Sequence, residues 1–436
     1  MSNVMIGVWG SSILMVLMFL RVPIWLSMIL VGTIGYMALG GSGVIETFGL
    51  AAAGAVENYT FAVMPVFLLM GELADISGMM KEAYRSANIW LGKLRGGLAM
   101  ASLVGAAAFS LVSGSSLACT AIMTRVALPQ LMQYKYAPSL AAGALAAGGT
   151  LGNLVPPGFL IVLYCILTDV SLGKLFVSLY VPGFLLLFMY IIQIYIQCTI
   201  KPSLGPAAQS YTWKEKLVGS KGMLAVTVVF ILTLGGIQFG VFTPNEAASV
   251  ATVFVFFYAL AKRTLTGANF FKACRSTIST TGMGLAILIA AQVFNVFIAV
   301  STLPQAMVDW MVGLELSKVS VIVIIMVVYF IMGIPMNGTT ILLLTLPILL
   351  PILKVYDINL IWFGVLAITQ CELANISPPV GMNLFVVAAM GKPFGISLGT
   401  VFWGSMPFVL TCVVFVVLLV AYPQISLFLV DRMVTW

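Results

Sequence analysis

Two short clusters of hydroxyl and amide side chains, Ser113-Gly114-Ser115-Ser116 and Asn337-Gly338-Thr339-Thr340, stand inside long charge-free runs. Two further polar breaks, GTLGNLVPPG at 149–158 and ELANISPPVG at 372–381, repeat Asn-x-x-Pro-Pro 222 positions apart. Hydroxyl, amide and backbone carbonyl oxygens can hold a hard monovalent cation without a counter-carboxylate. Sodium fits this oxygen set better than protons. The chain has no His, the commonest general base, metal ligand and proton shuttle. A His-dependent serine triad or zinc hydrolase site is therefore excluded, and no Gly-x-x-x-x-Gly-Lys phosphate loop suggests an ATP motor. Sodium, at two or more sites, is assigned to Ser113, Gly114, Ser116, Gly152, Asn153 and Pro156 on one side. On the other side it is assigned to Asn337, Gly338, Thr339, Asn375, Pro378 and Gly381. Substrate contacts are assigned to Ser115, Asn153, Thr340, Asn375 and Arg125.

Each assignment has a structural alternative. Single Ser and Thr hydroxyls in membrane helices bond their own backbone or a neighbouring helix. Glu246 follows Thr243-Pro244-Asn245, a helix start where a carboxylate is favoured electrostatically. Arg125 lies about 13 Å along a helix from Ser116, which favours snorkelling toward the membrane face over substrate binding. The remaining intramembrane carboxylates are chiefly Glu72 and Glu372.

These groups must be positioned by membrane helices. With 61% hydrophobic and only 8% charged residues among 436, the chain reads as an all-α polytopic membrane protein, not a water-soluble globule. Its charge-free runs allow about ten crossings plus extra intramembrane material. The first apolar run reads as a retained helix, since it lacks a basic n-region and a cleavage site. The six Cys, at scattered positions, suggest neither disulfides nor a metal site. The net charge of +7 is distributed as a positive-inside bias and points to no nucleic acid. If 1–20 cross inward and end at Arg21, most Lys and Arg fall in the cytoplasm, and both termini fall outside.

Two runs are wrong as simple spans. Residues 319–353 are broken by GIPMNGTT into arms too short to cross, and 96–134 repeats the design around LVSGSSLACT. Both read as re-entrant hairpins whose tips meet in the interior, where their polar backbone is satisfied by protein or a wet cavity. At the 222-residue offset Leu128-Pro129 matches Leu350-Pro351 and Tyr134 matches Tyr356. Asn153 matches Asn375, Pro156-Pro157 matches Pro378-Pro379, and Gly114 aligns with Gly338 after a two-residue slip. The chain therefore reads as two inverted repeats, 1–200 and 222–436, joined by a cytoplasmic linker at 201–221. Each repeat carries a hairpin (96–134; 319–353) and a discontinuous helix (139–168; 358–390) broken at Pro-Pro. Residues 78–95 and 262–275, basic and aromatic, read as interfacial arms, with a plain loop as the alternative.

SGSS at 113–116, GTLGNLVPPG, GKLFVSLYVPG at 173–183, GVFTPNEAA at 240–248 and SPPVGMNLFVV at 377–387 resemble the large membrane subunit of tripartite ATP-independent periplasmic (TRAP) transporters. The resemblance spans nearly the whole chain. It implies an elevator-type sodium symporter of the bacterial inner membrane, with a scaffold and a moving transport domain. It also implies a small four-helix membrane subunit and a periplasmic binding protein that delivers a small organic anion, a carboxylate or sulfonate. The chain departs from the family pattern at Asn153, where an aliphatic residue is usual, at Asn337-Gly338, and at Arg125. A stand-alone sodium symporter of the same broad fold is the rival mechanism. A membrane-embedded enzyme and a passive channel are rivals from other classes.

Overall fold

The computed structural model describes residues 2–20, 22–207 and 211–433. Arg21, expected at the cytoplasmic end of the first helix, lies outside the described residues, as does part of the linker. Among the described residues the secondary structure is helical, without strands. Eight helices are long and apolar enough to cross a membrane, joined by shorter apolar helices.

The expected hairpins are formed by Gly97–Ser113 with Ser116–Gln133, and by Lys318–Gly333 with Gly338–Val355. Their polar centres stop the helices by local chemistry. Gly114, at φ +59°, ends the first arm in the left-handed conformation that glycine adopts without strain. Ser115 then caps the next arm, its hydroxyl accepting from the Ala118 N–H at 3.4 Å. In the second hairpin Asn337 takes the same place, accepting from the Thr340 N–H at 3.0 Å.

The discontinuous helices run Pro138–Leu154 then Phe159–Thr168, and Leu360–Ile376 then Met382–Gly391. Both Pro-Pro bonds, at Pro156-Pro157 and Pro378-Pro379, are cis. The hairpin and broken-helix segments have 17, 18, 17 and 10 residues in the first half and 16, 18, 17 and 10 in the second.

The first half is packed through small residues. Every residue of Gly97–Ser113 except Val104 is buried, and from Leu140 to Leu154 so is all of the first broken helix. Alanine and glycine at these positions let backbones approach closely. Gly143 lies directly against Gly404 of helix Leu398–Ala421, and Gly404 against Ser139, each so near that a Cβ would strike a backbone carbonyl. Lys318–Gly333, by contrast, leaves Val319, Val323, Val327 and Ile331 exposed. A second core joins Asn3–Phe19, Ile24–Ala38 and Gly267–Val300, with Gly10 and Gly35 seated on Phe297. The linker closes the base of the first hairpin: Leu204 and Gly205 carbonyls accept from Ala137 and Gly96 N–H at 2.9 Å each.

One expectation needs correction. The segment 262–275 is not a separate arm: after a turn it begins the 34-residue helix Gly267–Val300. No breaker interrupts that helix before Ser301-Thr302, where Thr302 adopts φ +54° and Pro304 follows. The short helix ahead of the second hairpin is instead Leu303–Val312. In the other segment, 78–95, residues Met79–Leu91 form a helix packed on the first hairpin. In the linker, a capping box of Thr212 and Glu215 starts a short helix, Trp213–Gly219.

Candidate functional site

The first hairpin tip meets both broken helices. The Ser116 hydroxyl lies 2.7 Å from the Gly149 carbonyl and also contacts the Glu372 carboxylate. Gly152 lies over it, so close that a Cβ would sit 2.7 Å from the Ser116 Cα. On the other side of the tip, Gly114 abuts the Pro157 carbonyl. Between tip and break is a cavity of about 20 Å³, lined by Ser113, Gly114, Pro157 and Gly158 and by apolar side chains that include Phe67 and Phe159. That is room for about one water.

Glu372 is the centre of this arrangement. It is only 1% exposed, and its carboxylate accepts from Asn153 Nδ2 at 2.8 Å and from Asn375 Nδ2 at 3.3 Å, besides the contact with Ser116. The two asparagines of the repeated Asn-x-x-Pro-Pro thus converge on one carboxylate from opposite halves of the chain. Three donors compensate part of the desolvation that a buried carboxylate suffers. Two polar atoms nearby have no hydrogen-bond partner, Ser113 Oγ and Asn153 Oδ1, and both are buried. Unpaired buried oxygens are costly unless something binds them. They are oriented groups of the kind a cation requires.

The second tip reaches the same place from another direction. Gly338 packs on Cys371, adjacent to Glu372, so tightly that a side chain there would overlap the Cys371 Cβ, and Cys371 Sγ approaches the Gly338 carbonyl at 3.4 Å. Thr340 is buried, Thr339 half-buried and Asn337 exposed. Beside them is a cavity of about 470 Å³, lined by Phe19, Ile24, Asn337, Thr340 and Val380 among others. Gly381 N–H donates to the Ser377 carbonyl at 3.0 Å, closing the turn around Pro378.

Of the residues singled out by sequence, Ser116, Gly152, Asn153 and Asn375 are brought together at Glu372. Ser113, Gly114 and Pro156 surround the first break, and Gly338, Thr339 and Thr340 form the second tip. Pro378 and Gly381 lie in the second break, and Ser115 caps its own helix. Arg125 is not brought to either tip: it is exposed, on the outer part of the hairpin's second arm. Thr120 and Thr150 bond backbone carbonyls of their own helices. Glu246 completes a capping box with Thr243, its structural alternative.

Sequence reasoning noted Glu372 but did not place it in the site, and it missed Asn383. Asn383 is fully buried, donates to the Ala146 carbonyl at 3.3 Å and leaves its own Oδ1 unpartnered. The available signal was spacing, because Glu372 and Asn375 lie three apart on one helix face.

A sequence model of the family described as "Tripartite ATP-independent periplasmic transporter, DctM component" matches residues 12–425. The C4-dicarboxylate TRAP transporter large permease protein DctM of Pseudomonas aeruginosa is 32% identical over 372 residues, covering 85% of this chain and 86% of the relative. The sialic acid TRAP transporter large permease protein SiaM of Vibrio cholerae is 27% identical, covering 95% and 96%. The crystal structure of the Alcanivorax borkumensis YdaH transporter matches with TM-score 0.64 over 87% of both chains at 15% identity, a likeness of fold alone. With helical hairpins, paired breaks and a near full-length family match, the chain belongs to the large membrane subunits of the TRAP transporters.

Proposed function

We propose that this subunit imports a small organic anion across the bacterial inner membrane by sodium symport. The observation that carries the proposal is the convergence of both hairpin tips on Cys371-Glu372, with unpaired Ser113 and Asn153 oxygens beside them. Sodium is cargo here. Ser113, Ser116, Asn153 and the carbonyls of the first break offer it hard oxygens, and Asn337, Thr339, Asn375 and the second break do so on the other side. Glu372 adds what the sequence reading left out, a carboxylate that Ser116, Asn153 and Asn375 hold in place and that attracts the ion when ionised. The cavity beside Asn337 and Thr340 gives the anion a place near, but separate from, the carboxylate.

The near-equal segment lengths and the two Pro-Pro breaks support two repeats, read here as inverted halves at 1–200 and 222–436, and the positive-inside bias favours both termini on the periplasmic side. In this reading the hairpins and broken helices move as one body past the remaining helices, an elevator. A small four-helix membrane subunit completes the scaffold, and a periplasmic binding protein delivers the substrate. Relatives are named for C4-dicarboxylate and sialic acid, which are carboxylates, and for isethionate, a sulfonate. That supports a small organic anion of the carboxylate or sulfonate class for this chain.

The test is uptake into liposomes containing the complete membrane complex, with binding protein outside. Uptake is expected to require an inward sodium gradient and to persist when the proton gradient is collapsed. Proton-driven uptake in sodium-free buffer would move the coupling role to Glu372 and overturn sodium symport. Undiminished uptake without the binding protein would leave a stand-alone symporter.

A further inference from the structure

Far from the tips, helices Met79–Leu91 and Trp213–Gly219 meet the start of Lys221–Gln238 and the end of Pro244–Ala261. A cavity of about 690 Å³ lies there, and its lining includes Arg85, Lys214, Lys221 and Lys262 with Glu82 and Glu215. Both carboxylates are already engaged. Glu82 binds Lys262 Nζ at 2.6 Å and accepts from the Tyr258 hydroxyl at 2.8 Å. Glu215 turns back on Thr212, accepting from its N–H at 2.7 Å and its hydroxyl at 2.8 Å. Glu82–Lys262 is the only ion pair among the described residues. Arg85, Lys214 and Lys221 therefore line the cavity without a carboxylate partner.

An aromatic edge adjoins these cations. Trp90 and Trp213 pack edge to face with centroids 6.0 Å apart, and Lys216 Nζ lies 5.5 and 5.2 Å from the two rings. Trp90 Nε1 donates to Ser220 Oγ at 2.8 Å, fixing its ring. Trp213, Leu217, Val218 and Leu224 continue from it as an exposed apolar surface. Tryptophan favours headgroup depth, apolar side chains the acyl region, and clustered Lys and Arg the phosphates of anionic lipid. All three occur here within two turns of one another.

We propose that this cavity binds the phosphate headgroup of an anionic phospholipid, with Arg85, Lys214 and Lys221 on the phosphate and the Trp90–Trp213 edge against the acyl chains. The exposed apolar side chains beside the cations favour a lipid over a free anion, which would have no use for them. The site spans two elements already joined by Ser86 Oγ donating to the Gly219 carbonyl at 2.7 Å. A bound lipid pins helix Met79–Leu91, which packs on the first hairpin, to the linker.

The test uses the complete membrane complex in neutral detergent. Wild type is compared with Arg85→Gln, Lys214→Gln and Lys221→Gln singly and together, and with Lys135→Gln as a charge control on the same expected face. Retained lipid is read by native mass spectrometry, and thermal stabilisation is titrated with phosphatidylglycerol, phosphatidylcholine or inorganic phosphate. Wild type and Lys135→Gln are expected to retain phosphatidylglycerol, and each cavity substitution to weaken its stabilising effect about fivefold. Phosphatidylcholine and inorganic phosphate are expected to stabilise little. Equal retention and stabilisation in the triple variant would overturn the proposal, as would stabilisation by inorganic phosphate matching that by the lipid. Should the triple variant not fold, Lys214→Arg/Lys221→Arg keeps the charge and is expected to restore retention relative to the paired glutamines. Failure of that rescue would equally count against the site.

Discussion

Replacing Glu372 separates what its charge does from what its hydrogen bonds do. Glutamine keeps an acceptor for Asn153 Nδ2 but turns an NH2 toward Ser116 and Asn375. Ser116 can then donate to the Gly149 carbonyl, 2.7 Å away, and accept from the new amide. Asn375 Nδ2, 3.3 Å from the carboxylate in the wild type, loses its acceptor. Glu372→Gln should therefore cost about one hydrogen bond, ~1 kcal/mol of stability. Glu372→Ala leaves both asparagine donors unsatisfied in the core, at roughly 1–3 kcal/mol each, and opens a cavity besides. The stability order is wild type, then Gln, then Ala well below, read as unfolding midpoints in detergent at fixed sodium.

The charge is measured separately. At an effective dielectric of ~20, a unit charge ~5 Å from a bound cation contributes about 3 kcal/mol. Glu372→Gln should accordingly raise the sodium concentration for half-maximal uptake by up to roughly a hundredfold. Wild-type sodium activation in the Gln variant would refute the electrostatic role, leaving Glu372 a brace between the two breaks. A Gln variant as unstable as Ala would refute the hydrogen-bond reasoning itself.

Three other outcomes are expected. Ser116→Ala should weaken sodium activation and lower stability together, because Glu372 loses a donor, whereas Thr339→Ala, half-buried, should weaken sodium activation at near wild-type stability; unchanged activation in both returns these hydroxyls to a structural role. In a background free of native cysteines, Cys at 115 should label from the cytoplasm mainly in the inward state and Cys at 339 from outside mainly in the outward state, each fixed by a crosslink; equal labelling from both sides would mean a continuous pore. Partial burial works to raise the Glu82 pKa, but the hydrogen bonds from Lys262 and Tyr258 outweigh it and hold it below the ordinary 4.5. The stability that this cluster contributes is therefore complete above that ordinary value and is lost as pH falls through the lowered one. For so exposed a pair it amounts to at most about 1 kcal/mol, so the difference in unfolding midpoint between wild type and Glu82→Gln should shrink on acidification and vanish in acid.

Much of the fold could be read from residues with strong local effects. Gly114, Pro335 and the two Pro-Pro pairs stop helices whatever surrounds them, and helices end beside them at Ser113, Gly333, Leu154 and Ile376. That 78–95 does not span was legible because charges interrupt its apolar residues. The second arm was misplaced because basic residues at 262–275 suggested an interface, while nothing local stops the helix that begins there. Leu303–Val312 carries one charge, Asp309, and merged with the apolar run before it. In the site, the neutral oxygens were found by type. Glu372 escaped assignment because its partners Ser116 and Asn153 are 256 and 219 residues away, a meeting made by packing.

The contact of Gly143 with Gly404 also bears on how this chain can change over generations. Most tight places in a protein tolerate drift, since a larger residue on one side can be answered by a smaller one on the other. Here both sides are already glycine, and what each approaches is main chain, which no substitution can trim. A first step to alanine at either position has no compensating second step nearby. The pair is a dead end in sequence space, and related chains that keep this helix contact should keep both residues at the smallest size together, whatever anion they carry.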